Sequence, residues 1–228
     1  MEATHAYALV ALIAFAGVLV ILLSERERRR PWLIGRHLPR SFGLIDVPVS
    51  DLPGDAREPV EFLTETLMRL GFVPAHDPTS VSALQTKRDR LLVLPFVNSN
   101  ESACFLMGIE ASGAPISQLM LHIITPLSGG RRVETSTLQP LDVLVRPPNV
   151  DVQVVLDADS VEEIWSRHRL ALTRYKRDER EPVEASRWAT YAGDAYASWI
   201  QAAVRAQRLA LDRNGQTYRV RSPPRSIV

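Results

Sequence analysis

The sequence predicts an α+β protein: a single N-terminal transmembrane helix, then an antiparallel β-sheet packed by helices, with a long C-terminal amphipathic helix. Three patterns carry that expectation. Residues 6–23 form an uncharged, almost wholly apolar run ended sharply by a charged stretch. Apolar runs between residues 91 and 156 are short and separated by turn residues, as in a set of hairpins. Three further segments place apolar residues at helical spacing.

The N-terminal run, AYALVALIAFAGVLVILL, would span about 27 Å as a helix, close to a hydrocarbon core of roughly 30 Å. No Lys or Arg precedes it, and the residues after it do not resemble a signal-peptide cleavage site, so retention is expected. Arg26, Arg28, Arg29 and Arg30 follow at once, with Arg36 and Arg40 beyond and Glu27 the one acid among them. The positive-inside bias then predicts a single-pass cell-membrane protein, its N-terminus outside and its C-terminal domain cytoplasmic. Arg26, Arg28, Arg29, Arg30 and Trp32 are the expected membrane-interface residues, with the lipid bilayer as a partner.

Residues 25–56 read as a basic, proline-rich juxtamembrane arm behind the 1–24 anchor, and Pro31, Pro39, Pro48 and Pro53 rule out a long helix there. The α+β domain is expected over 57–178. Its first helix starts near Asp55 and Glu58, carries Val60, Leu63, Leu67 and Leu70 on one stripe, and ends at Gly71. Strands follow at 91–97, where Pro95 suggests an edge or bulge, then at 103–110, 117–125, 131–138 and 150–156. RRVETSTL at 131–138 is polar and reads as a strand near an edge. In the second helix Ser160 is the N-cap, and Val161, Ile164, Trp165, His168, Leu172 and Tyr175 form the inner face.

Residues 179–228 are assigned to a long helix, 183–211, and a tail. Trp188, Ala192, Ala195, Trp199 and Ala202 alternate large and small at a nearly heptad period, the pattern of a close helix contact. They are the expected partner-binding residues, toward another protein or a second copy.

The chemistry is sparse. A formal charge of +1 in 228 residues supplies no global field for nucleic acid, and no nucleic-acid partner is expected. The single cysteine, Cys104, lies in an apolar run and reads as a buried thiol. His5, His37, His76, His122 and His168 are scattered, so no metal site and no cofactor is expected. His122 and His168 are the candidates for lining a pocket between sheet and helix. Glu134 and Arg132 share a polar strand face, and residues 98–102 make the most polar turn. Ser128-Gly129-Gly130-Arg131-Arg132 lacks a following helix N-terminus and reads as a hairpin turn, not a phosphate loop.

The functional expectation is a membrane-anchored, cytoplasmic-side interaction or scaffolding protein without catalytic activity. The alternatives are a membrane-tethered sensor or carrier binding an apolar or lipid ligand, and then a membrane-associated enzyme.

Overall fold

A computed structural model of the chain describes residues 37–40, 44–46, 54–77, 79–81, 90–111, 119–137, 145–155, 158, 160–213, 215 and 217–220. The strands are β1 (His37–Pro39), β2 (Leu44–Asp46), β3 (Val73–Pro74), β4 (Thr79–Val81), β5 (Arg90–Asn98), β6 (Ala103–Ala111), β7 (Leu119–Leu127), β8 (Arg131–Ser136), β9 (Val150–Val154), β10 (Leu209–Leu211) and β11 (Thr217–Val220). The helices are α1 (Gly54–Arg69), α2 (Val161–Leu172) and α3 (Trp188–Arg205).

The main sheet runs β2-β4-β5-β6-β7-β8-β9, with β3 also on β5; β1-β11-β10 form a small second sheet. Long antiparallel strands make its centre: β5, β6 and β7 carry apolar residues on both faces, and β5 turns into β6 on polar residues 99–102. One face carries Leu92, Leu94, Phe96, Phe105, Met107, Leu121 and Ile123 under α1 and α2. There Phe72 meets Phe105 and Trp165 edge-on, at centroid distances of 5.6 and 4.9 Å. The other face carries Val97 and Cys104 under Trp188, Tyr191 and Ala192 of α3. The C-terminal half of α3 meets the small sheet through Trp199, Ile200, Ala203, Leu38 and Leu209.

Local chemistry sets the helix ends. Ser160 Oγ accepts from the Glu163 N–H at 3.1 Å, capping α2. After α1 the chain turns through Gly71 at φ +86°, and the Phe72 N–H returns to the Leu67 carbonyl. Asn98 Nδ2 donates to the Leu70 carbonyl from the β5–β6 turn, so that polar turn also closes the helix end. Between α2 and α3 the chain rounds the end of the sheet. Arg180 Nη2 donates to the Leu172 carbonyl, the Glu181 N–H to Pro126, and Ser99 Oγ to Val183.

The architecture corrects the expected one in several respects. Among the described residues no helix is long and apolar enough to cross a membrane. The longest, α3, exposes Asp194, Gln201 and Arg205 on its outer side. The run 6–23 that suggested a transmembrane helix lies outside the described residues, as do Arg26, Arg28, Arg29, Arg30 and Trp32. The single-pass anchor, the lipid bilayer as partner and the cell-membrane localisation are therefore withdrawn, and with them the membrane-anchored scaffold, sensor and enzyme. What stands is a mixed α+β fold.

The sheet is not wholly antiparallel, since β9 lies parallel to β8 and the intervening chain must cross over. Helices cover both of its faces. The expected helix 183–211 is the shorter α3, because the chain leaves the helix at Ala206 and Gln207 takes φ +58°, freeing Leu209–Leu211 to become β10. Pro95 sits inside the sheet, opposite Leu106. On its other side β3 pairs up to Phe96 and β4 starts at Val93, so its missing N–H faces the break between those two strands. There its carbonyl accepts from the Ala75 N–H at 2.9 Å.

Candidate functional site

Strand β8 is where polar side chains enter the interior. Its alternation sends Val133 and Thr135 toward α2, and Arg132 and Glu134 toward α3. Far from the edge strand its polarity suggested, β8 is buried from Arg132 to Ser136. Register places Glu134 opposite Ile124, one step diagonally from His122.

Glu134, 1 % exposed, is the hub on the α3 side. Its Oε2 accepts from His122 Nε2 at 3.2 Å and from Trp199 Nε1 at 2.8 Å, while Oε1 accepts from Arg132 Nε. Arg132 in turn donates to Ser198 Oγ and, at 3.5 Å, to the Ala195 carbonyl. Burial alone would raise the Glu134 carboxyl; the hydrogen bond and charge of His122, the charge of Arg132 and the Trp199 bond outweigh it and hold it down at about 2. The group is a carboxylate at any ordinary pH. A carboxylate only accepts, so His122 Nε2 carries the hydrogen and, in the neutral ring, Nδ1 is the acceptor.

His122 reaches solvent, its side chain 27 % exposed, as Ser198 does in part at the other end of the network. The arrangement is a carboxylate-backed imidazole with its outer nitrogen turned from the carboxylate. That geometry suits proton acceptance or hydrogen bonding to a ligand, and the same backing is found behind metal-ligating histidines. Among the described residues no three His, Cys, Asp or Glu side chains gather as a metal site.

His168 is separate. It lies on the opposite face of the sheet, fully buried, with Nε2 3.0 Å from Thr125 Oγ1 and Nδ1 2.8 Å from Thr135 Oγ1. Trp165 stacks on it at 5.7 Å. Burial, with the charges of His122 and Arg180, lowers it to about 3, so the ring is neutral and its two hydrogen bonds tie α2 to β7 and β8. A pocket shared by His122 and His168 is thus corrected: the sheet separates them.

The expected partner seam finds its partner inside the chain. Trp188 and Ala192 are buried against the main sheet and Trp199 against the small one, and Ala195 and Ala202 are buried as well, so the seam is covered within the chain and is not open to a partner or second copy. Alternating large and small residues suit close packing on a strand surface as well as on a helix. Cys104 is buried, and burial pushes its thiol up to about 12. Arg131 and Arg132, adjacent at the start of β8 just after the glycine turn, face opposite sides of the sheet and do not converge.

Sequence reasoning paired Glu134 with Arg132 but missed Trp199 as a donor to Glu134, and missed Ser198 altogether. The available signal was the indole N–H: a Trp on an inner helix face needs an acceptor, and an acid on a nearby strand is the natural one. Comparison of the chain with protein-family models, curated proteins and solved structures finds no match in any of the three.

Proposed function

We propose that the chain is a ligand-binding domain that takes a small polar molecule, with His122 as the receiving group and Glu134 as its orienter. The observation that supports this most directly is the half-open imidazole on a fully buried, ionised carboxylate. Glu134 takes the Nε2 hydrogen and leaves Nδ1 to the ligand, accepting from an N–H or O–H donor when the ring is neutral and donating to an acceptor when it is charged. Arg132 and Glu134 cancel in charge, which favours a neutral ligand over an anion at this point. Two nucleophile types nearby are engaged or suppressed: the Ser198 hydroxyl lies between Arg132 and the Ala195 carbonyl, and the Cys104 thiol is buried. The reading is therefore recognition through a fixed hydrogen bond, without a covalent step.

The test is a fragment screen of azoles, phenols and carboxamides against the full chain, followed through the ring nitrogens of His122 by NMR. Binders are expected to shift the Nδ1 signal and to weaken at least tenfold in His122→Ala, roughly the value of one lost hydrogen bond to a preorganised group. Fragments that bind equally well without His122, or none that move its ring, would refute the proposal.

A further inference from the structure

The opposite face of the sheet, at the exposed end of α2, carries a second polar cluster. Asp151 of β9 faces the same side as Val133, away from Glu134. Its Oδ1 is 3.5 Å from Arg146 Nη2 and its Oδ2 is 3.3 Å from Arg174 Nη1; the Tyr175 hydroxyl donates to Oδ2 at 3.2 Å. Arg146 is itself fixed, donating from Nε to the Val150 carbonyl at 2.6 Å. Arg131 lies over the Tyr175 ring at 5.9 Å and pairs with Glu179 at 2.8 Å.

Two features set this group apart from ordinary surface ion pairs. Tight charge-assisted N–H···O contacts run at about 2.7–2.9 Å, so both arginine contacts to Asp151 are loose. The single carboxylate charge is also divided between two guanidinium groups, which leaves the trio with one net positive charge. Both arginines remain open to solvent, their side chains 54 % and 64 % exposed.

We propose that Arg146 and Arg174, drawn together on Asp151 with Tyr175 beside them, form a site for a phosphate group, free or esterified. A phosphate presents several oxygens to planar guanidinium forks and matches them in geometry as well as charge. Asp151 meets one nitrogen of each guanidinium, Arg146 at Oδ1 and Arg174 at Oδ2, and the anion binds the N–H groups that these contacts leave over. The site is independent of His122, which lies across the sheet.

The test is calorimetric titration of the full chain with inorganic phosphate and, in a second arm, with methyl phosphate. Saturable one-to-one binding is expected, weakened at least tenfold in the Arg146→Ala, Arg174→Ala double variant with its circular dichroism spectrum unchanged. The Arg146→Lys, Arg174→Lys pair keeps both charges without the forks and is expected to bind several-fold more weakly; it decides the matter if the alanine variant does not fold. Methyl phosphate binding as well as inorganic phosphate assigns the site to phosphate esters, and its exclusion assigns it to the free ion. Lysines that bind phosphate as well as arginines would mark an adventitious ion only and overturn the proposal, as would the lack of saturation.

Discussion

His168 shows how a buried titratable group shapes pH dependence. Its folded-state value of about 3 lies below the ordinary 6.5, so between those limits the unfolded chain binds a proton that the folded chain refuses. Its contribution is complete above about pH 6.5 and is lost progressively as pH falls toward 3, by up to about 1.4 kcal/mol per pH unit. Glu134, held at about 2 against 4.5, adds a loss of the same sign only below about pH 4.5. Urea unfolding at pH 7.5 and 5.5 should therefore show lower stability at the lower pH, and His168→Gln should flatten the difference. Equal slopes in both proteins would place the acid sensitivity elsewhere.

At the scale of elements, turns and caps were readable in the sequence because their causes are local. Ser160 caps α2 through an N–H three residues away, and Gly71 ends α1 through its own backbone angle. A Cβ on Gly71 would also stand 3.1 Å from Asn98 Nδ2, whereas one on Gly129, at φ +74°, would meet nothing within 4 Å. Gly71→Ala is expected to cost about 2 kcal/mol and Gly129→Ala about 1, both from the left-handed backbone and the first with added crowding. Thermal melts of the two variants check the order. The polar core was not readable in this way. RRVETS looks like an edge strand by composition, because the groups that make its burial tolerable are distant: Trp199 reaches Glu134 across 65 residues of sequence. A buried ion pair is intelligible only with its hydrogen-bond partners in place. The parallel placement of β9 was hidden for a similar reason, since strand periodicity is the same in either direction.

Across the whole molecule, the described core is a sheet between helical layers, with the small sheet leaning on the outer part of α3. The apolar patterns of α1, α2 and the central strands were enough to foresee helices on a sheet, but not that both faces are covered. The interior strands β6 and β7 pair on both sides under helices, whereas β10 and β11 are short and half exposed. Amide hydrogen exchange should follow that order, with β6 and β7 slowest and β10 and β11 fastest by orders of magnitude. Exchange as slow in the small sheet as in β6 would mean that the two sheets open only together.

The register of the small sheet has a mechanical consequence. His37, where β1 begins, is paired with Arg219, near the end of β11. Chain entering at 37 and chain leaving at 220 thus lie at the same end of an antiparallel ribbon. Tension between those two points would peel the β1–β11 hydrogen bonds one after another, as a zip opens, instead of shearing them all at once. The small sheet is in that sense a clasp that opens from one end.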